Sequence, residues 1–290
     1  MTILLTFDEG PGVGLGHRRR CEVIAFALRD RGRETVVLPC RDAGVADAPI
    51  VVVDSYRHRA DDRARVRAGL VVALDDLRRD LDVAIVVDPA PGASTAPHRR
   101  AGTVLAGAEY ALVDRHLRDL GARSTDVHPR TVLVATGAAD AEGVGAALAA
   151  ELVASDLVDQ VRLVVGPWGA RTVPAGVEAL ERRDGLAIDL AAADIVVTAG
   201  GVTLLESLCL GRPTVAVTLA ANQRGNVEGV TSEGAALGVD PAGVLDSVRR
   251  LVESPALRRE LAAAAATLID GRGADRVADA IEASLLRAAA

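Results

Sequence analysis

Lysine is missing from this chain of 290 residues, and all 33 basic side chains are arginine. A lysine nucleophile, a Schiff base and a P-loop lysine are therefore excluded. Aromatic residues are almost as scarce, with two Phe, two Tyr and one Trp. Set against 40 acidic residues and a net charge of −7, that scarcity leaves neither basic patches nor stacking platforms for nucleic acid. Cys21, Cys40 and Cys209 are scattered and show no C-x-x-C spacing. Neither a zinc site nor a disulfide framework is expected, and reduced thiols in a cytoplasmic protein are the simplest reading. No apolar run approaches the ~18–20 residues of a membrane span. The amino terminus leads into an expected strand at Thr2–Phe7 without a basic, signal-like leader. No metal and no cofactor is expected.

What is present is an alternation of short apolar runs with helical patterns, in a chain half hydrophobic and a quarter charged. The runs Ile3–Phe7, Thr35–Leu38, Ile50–Asp54, Leu70–Leu74 and Val83–Val87 read as strands, with helices over His17–Arg31 and Arg59–Ala68. A proline-rich loop follows at Pro89–Pro97, and Arg115–Arg130, with Gly121, Ser124, Asp126 and Pro129, reads as a connection. The pattern then restarts with strands at Thr131–Ala135, Val161–Val165, Ile195–Thr198 and Thr214–Leu219 and helices at Asp140–Leu152 and Thr203–Leu210. From about Gln223 the chain is largely helical, with breaks near Gly238–Pro241, Ser254-Pro255 and Gly271–Gly273. Strands this apolar imply parallel sheets covered on both faces, an α/β fold with two doubly wound domains. The expected division is 1–120, 128–270 and a final helix at 271–290 that packs back on the first domain. Ligands of such sheets sit outside the carboxyl ends of the strands, here in a central cleft between the domains.

Two glycine turns carry the chemistry. Asp194–Ala199 is apolar and β-branched, breaks at Gly200-Gly201, and resumes with helical spacing through Thr203 and Glu206. Glycines at a strand-to-helix turn let backbone approach a ligand, and the N–H groups of the new helix then face an anion such as a diphosphate. Gly137, at the end of the Thr131 strand, and the Asn222-Gln223 amides, after the Thr214 strand, are placed to meet the same ligand. Glu206 is read either as a partner for ribose hydroxyls or as plain helix surface. The second turn is Gly10–Gly16, a long flexible segment that ends in His17. It fails as a dinucleotide fingerprint, because the glycines that G-x-G-x-x-G requires are replaced by His17 and Arg19.

His17 is read as a base or hydrogen-bond partner at a helix start, or as a residue that caps or packs. Asp54, at a strand's carboxyl end with Ser55-Tyr56, either orients His17, contacts a sugar hydroxyl, or caps a helix. Asp75-Asp76 occupies the equivalent place on the next strand and is read first as a pair of solvated carboxylates. His58, His98, His116 and His128 are expected on the surface, and Arg57–Arg63, with its alternating charges, as solvated helix.

Taken in order, Gly16-His17-x-x-Arg20-Cys21, Asp54-x-Tyr56, Asp75-Asp76, Gly107-x-x-Tyr110-Ala111-Leu112, Gly137-x-x-Asp140, Gly200-Gly201-x-Thr203-x-x-Glu206, Leu210-Gly211-x-Pro213 and Asn222-Gln223 resemble the UDP-sugar hydrolases of pseudaminic-acid synthesis. The related spore-coat polysaccharide proteins share the pattern, and the second half more distantly resembles the UDP-GlcNAc transferase of peptidoglycan synthesis. The resemblance spans about residues 3–237. It implies a GT-B architecture of two Rossmann-like domains and a UDP-sugar cleaved at its anomeric carbon. His17, Asp54 and Tyr56 would be catalytic, with Gly137, Gly200, Gly201, Thr203 and Glu206 on the nucleotide. Gly14, Gly16, Arg20, Asn222 and Gln223 would hold the sugar. Val202, Ala138 and Ala221 depart from the family's pattern. Beside hydrolysis, transfer of the sugar to an acceptor alcohol and nucleotide-sugar binding without turnover stay open.

Overall fold

A computed structural model describes residues 1–289 with the exception of 45, 121–124, 126, 139, 141, 170 and 182–184. The chain divides into two compact units, Met1–Val113 with Gly271–Ala290, and Asp114–Asp270.

The first unit runs β1 (Thr2–Phe7), α1 (Gly16–Asp30), β2 (Glu34–Pro39), α2 (Cys40–Ala43), β3 (Ala46–Asp47), β4 (Ile50–Asp54), β5 (Val66–Arg67), β6 (Leu70–Leu74), β7 (Ile85–Asp88) and β8 (Thr103–Ala106). Its six-stranded sheet has the order β2-β1-β4-β6-β7-β8, and every pairing is parallel. Strands β4 and β6 are buried at every position, which is why they read as unbroken apolar runs. One face of the sheet buries Ile3, Leu5, Val52 and Val72 against Ile24 and Leu28 of α1 and against Val277 and Ile281 of the carboxyl-terminal helix, Gly273–Ala289. The other face carries Val51, Val53, Val71 and Val86, covered by Ala46, Ala60, Val66 and Leu81.

That second cover corrects the helix expected over Arg59–Ala68. The segment forms turns and the two-residue strand β5, which pairs with β3. Asp62 Oδ1 accepts the Ala64 N–H at 3.0 Å, a local bond that competes with the helical ladder. Only Ala60 and Val66 of the segment are buried hydrophobics, too few for a helical stripe. The strand expected at Val83–Val87 is β7, shifted to Ile85–Asp88, and β8 was not anticipated at all.

The carboxyl-terminal helix is bound by side chains and by close approach. Arg31 pairs with Asp279 at 2.6 Å and Arg33 with Glu282 at 2.5 Å. A Cβ on Gly273 would lie 2.2 Å from the Ala111 carbonyl oxygen and 2.5 Å from the Tyr110 carbonyl carbon. Backbone cannot yield as a side chain does. Gly273→Ala is expected to lower stability by about 1–3 kcal/mol, read as a shift of the urea midpoint at unchanged slope.

The second unit contains β9 (Thr131–Ala135), α3 (Val144–Ser155), β10 (Gln160–Val165), β11 (Val177–Glu181), α4 (Ala187–Ala192), β12 (Ile195–Ala199), α5 (Val202–Cys209), β13 (Thr214–Val217), α6 (Arg224–Ser232), β14 (Leu237–Val239), α7 (Val244–Glu253) and α8 (Pro255–Leu268). Its sheet has the order β11-β10-β9-β12-β13-β14 and is parallel throughout. Strand β11, an edge with one buried residue in five, has no apolar run and escaped the sequence reading, as did α4 and β14. Arg258 is buried and donates to the carbonyls of Leu251 (2.6 Å) and Val252 (3.1 Å) at the end of α7 and to those of Thr125 (2.9 Å) and Val127 (3.1 Å). It thereby fastens the entry segment of this unit, of which Gly121, Ser124 and Asp126 lie outside the described residues.

In each unit the strand order reverses beside the unit's first strand: between β1 and β4, and between β9 and β12. Crevices at the carboxyl ends of such strands are where open α/β sheets hold ligands.

Candidate functional site

At the first reversal β1 ends in Phe7 and β4 in Asp54, paired in register. The glycine segment between β1 and α1 is a closed turn rather than the flexible one expected. Gly14 N–H donates to the Gly10 carbonyl at 2.9 Å, and Gly10, Gly12 and Gly14 have φ of 130°, 79° and 84°, backbone that side chains disfavour. The turn delivers His17 to the first turn of α1, where it is buried 2.5 Å, Nδ1 to Oδ1, from Asp54. Arg20, one helical turn on, grips the same carboxylate with Nε at 2.8 Å and Nη2 at 2.7 Å. Its Nη1 reaches Asp76 Oδ2 at 2.6 Å, and that oxygen also accepts the Tyr56 hydroxyl at 3.1 Å. The Tyr56 ring meets the His17 ring edge-on, centroids 4.3 Å apart. His17, Asp54, Tyr56 and Arg20 are thus brought together, with Gly14 and Gly16 in the turn beneath them.

Arg20 Nη2 also lies 3.0 Å from His17 Nδ1, but a guanidinium has no acceptor. Nδ1 is therefore the ring nitrogen that donates to Asp54, and in the neutral imidazole this tautomer puts the lone pair on Nε2. Burial works against the charge on Arg20, yet Asp54, then Asp76 and Tyr56, outweigh it and hold the guanidinium far above its ordinary value. Burial likewise opposes ionisation of Asp76, and the charge and hydrogen bond of Arg20 overcome it, so this carboxyl is lowered.

Three carboxylates here correct or extend the sequence reading. Asp76 is a partly buried ion-pair partner and Asp75 is wholly buried, so neither is a solvated loop residue. Asp75 is raised by burial, against which Arg79 acts from 2.6 Å. Asp8, unassigned from sequence, accepts at Oδ2 from Ser55 Oγ (2.8 Å), Tyr56 N–H (3.1 Å) and Arg57 N–H (3.3 Å). It ties the end of β1 to the turn that carries Tyr56. The sequence signal for all three was their place at a strand's carboxyl end. His98 is a correction as well: it is 2% exposed, with Nδ1 3.3 Å from the Arg79 carbonyl and Nε2 3.6 Å from Asp88 Oδ2. The 89–101 segment folds it inward. His116 and His128 are exposed and His58 is partly buried.

At the second reversal Thr198 Oγ1 donates to the Ala135 carbonyl at 2.8 Å and locks β12 to β9. Two helices start beyond these strands, and they differ. The α3 start is filled by Asp140, whose carboxylate accepts the Val144 (3.0 Å) and Gly145 (2.7 Å) N–H groups and the Thr136 hydroxyl (2.7 Å). That is why α3 begins at Val144 rather than at the expected Asp140. The α5 start has neither a side-chain cap nor an acidic residue in its first turn; the Gly201 N–H donates to the Ala199 carbonyl at 2.8 Å and the Leu204 N–H to the Gly201 carbonyl at 3.2 Å, which leaves the Val202 and Thr203 N–H groups for an anion. Gly200 is packed: a Cβ there would stand 2.8 Å from both the Gln223 carbonyl oxygen and Val227 Cγ2. Asn226 Nδ2 holds the Gly200 carbonyl at 2.8 Å. Gly201 by contrast faces open space, with nothing within 4 Å of a Cβ.

Thr203 and Glu206 follow on α5, each partly buried. Gly137 is exposed at the end of β9 with φ 115°. Gln223 spends its side-chain Oε1 on the Leu219 N–H at 3.1 Å and so braces the end of β13, while Asn222 is exposed. The expected residues therefore form two sets, one in each unit. Among the described residues no group of three His, Cys, Asp or Glu is arranged to hold a metal ion, and no helix is long and apolar enough to cross a membrane.

No family model matches the sequence, and no curated protein does. Solved structures do match. MurG of Acinetobacter baumannii is 14% identical with a TM-score of 0.60, over 97% of this chain and 99% of that one. CalG4, the calicheamicin glycosyltransferase, is 15% identical with a TM-score of 0.63, over 100% and 99%. The spinosyn rhamnosyltransferase SpnG, complexed with thymidine diphosphate, is 15% identical with a TM-score of 0.61, over 93% and 96%. At these identities the likeness establishes the fold: this chain has the GT-B fold of two Rossmann-like units.

Proposed function

We propose that the chain is an enzyme that breaks the anomeric C–O bond of a nucleoside-diphosphate sugar and passes the sugar to an acceptor alcohol. The observation that carries this reading is His17, oriented through Nδ1 by Asp54 at 2.5 Å with Nε2 left as base, at the strand reversal of its unit. The acceptor oxygen forms the new bond to the anomeric carbon, its proton passes to Nε2, and the nucleoside diphosphate leaves with the bonding electron pair. Asp54 then stabilises the imidazolium, the part a carboxylate plays beside a catalytic histidine. Arg20 and Tyr56 position that pair. The open amide groups at the α5 start, with Gly201, Thr203 and Gly137, take the diphosphate and the charge that develops on it. Glu206 takes ribose hydroxyls, and Asn222 and Gln223 the sugar. CalG4 is a glycosyltransferase, and SpnG is a rhamnosyltransferase complexed with thymidine diphosphate; both facts support transfer from a nucleoside-diphosphate sugar.

A second reading rests on the motif series Gly16-His17-x-x-Arg20-Cys21 through Asn222-Gln223, which resembles the UDP-sugar hydrolases. Water then takes the place of the alcohol, and a free amino sugar is the product. Incubation with UDP- and TDP-sugars, with and without acceptor alcohols, decides between them: transfer requires an acceptor-dependent sugar product, and hydrolysis proceeds at full rate without one. Nucleotide binding with no release from any sugar sinks both readings.

The glycine turn gives an independent test. Gly201→Ala adds a methyl where the protein has open space, at a φ of −100° and ψ of −157° that alanine adopts freely. The unliganded variant should melt with the parent, while UDP affinity falls on the order of tenfold, about 1.4 kcal/mol. Unchanged calorimetric affinity would remove the diphosphate from this turn.

A further inference from the structure

Beyond the end of β4 the first unit has an open concavity of about 580 Å3 lined by Arg57, His58, Arg59, Asp61, Asp62 and Arg65. It lies next in sequence to Tyr56, whose ring touches His17. Its charges are not evenly spent. Asp61 is held by Arg59, Nε and Nη2 both at 2.9 Å, and also accepts the Asp82 N–H at 3.1 Å. That bidentate bond holds its carboxyl down to about 2 despite the opposing burial. Asp62 turns Oδ1 to the Ala64 N–H at 3.0 Å and pairs through Oδ2 with Arg65 Nε at 3.8 Å. The Arg57 guanidinium makes no hydrogen bond or ion pair among the described residues, although its own N–H is anchored to Asp8 and Ser55. The concavity thus has its carboxylates engaged and a cationic fork free, on backbone fixed by the residues that place Tyr56.

The geometry points to a binding site for an anionic group, a carboxylate or a phosphate, carried by the acceptor alcohol. A planar guanidinium matches either anion through paired N–H donors, and a second arginine at the rim adds charge. The acceptor role rests on the transfer reading above; the anion site does not.

Calorimetry with glycerol, glycerate and glycerol 3-phosphate, each with UDP at saturation, tests the site without turnover. Glycerate and glycerol 3-phosphate should bind at least about tenfold more tightly than glycerol, and their ratio distinguishes carboxylate from phosphate. Arg57→Gln with Arg65→Gln should abolish that advantage while leaving UDP affinity and Tm unchanged. Equal binding of all three probes, or anion binding that survives the double substitution, overturns the site. In turnover the double variant should raise KM for the anionic acceptor at nearly constant kcat. Unchanged KM overturns the acceptor role. If no sugar nucleotide is turned over by the parent, the transfer reading fails, and calorimetry alone still decides the site.

Discussion

His17→Ala should lower kcat by about 10²–10⁴-fold, the range that a positioned general base contributes, and leave UDP affinity within about twofold. The split follows from placement. His17 belongs to the first unit, whereas the open helix start, Gly201 and Thr203 belong to the second, so removing the imidazole deprives the acceptor of a base and the diphosphate of nothing. Asp54→Asn should reproduce most of the loss, because an amide at 2.5 Å from Nδ1 no longer selects the tautomer that frees Nε2. Single-turnover release of nucleotide, paired with calorimetry, separates chemistry from binding. Equal release by His17→Ala and parent would refute the mechanism, and equal loss of UDP binding would place His17 among the structural residues instead.

The largest loss of stability is expected from Arg20→Ala. Arg20 is 8% exposed and, among the described residues, is the only cation bonded to both Asp54, which is wholly buried, and Asp76. Removing one partner of a buried ion pair leaves a charge with neither water nor counter-ion, at about 3–5 kcal/mol, or roughly 6–20 °C in Tm. Arg20→Lys should recover only part of this, since an ammonium cannot bridge both carboxylates through a planar fork. The pH dependence carries a sign. In the parent the Asp76 carboxyl is lowered by folding, so its contribution is present above the ordinary carboxylate range and fades as pH falls through the lowered value. In Arg20→Ala the largest opposition to burial is gone and only the Tyr56 hydroxyl and His17 remain against it, so the Asp76 carboxyl rises relative to the parent and the variant's deficit shrinks as pH falls below about 4. Urea midpoints from pH 3 to pH 7 measure this. A deficit that does not change with pH would mean that lost packing, not unpaired charge, explains the effect.

The alternation of β-branched runs and helical stretches was enough to give the fold class, because the fully buried strands β4, β6 and β12 admit almost nothing but apolar side chains. Polar edge strands such as β11 were invisible for the opposite reason. The two turns at the heart of the site were legible for a local cause: glycines that permit positive φ or open approach leave a mark within a few residues, and so does a histidine set at a helix start. What the chain could not disclose locally are the partners. Arg20 reaches Asp54 across 34 positions and Asp76 across 56, and those meetings depend on β1, β4 and β6 lying side by side. The same dependence turned Asp75 and His98 from expected surface residues into buried ones and Asp76 into a partly buried ion-pair partner. The filling of one helix start by Asp140 is local, reaching N–H groups four and five residues on, yet it depends on which donors the folded loop brings to the carboxylate rather than on the residue's identity.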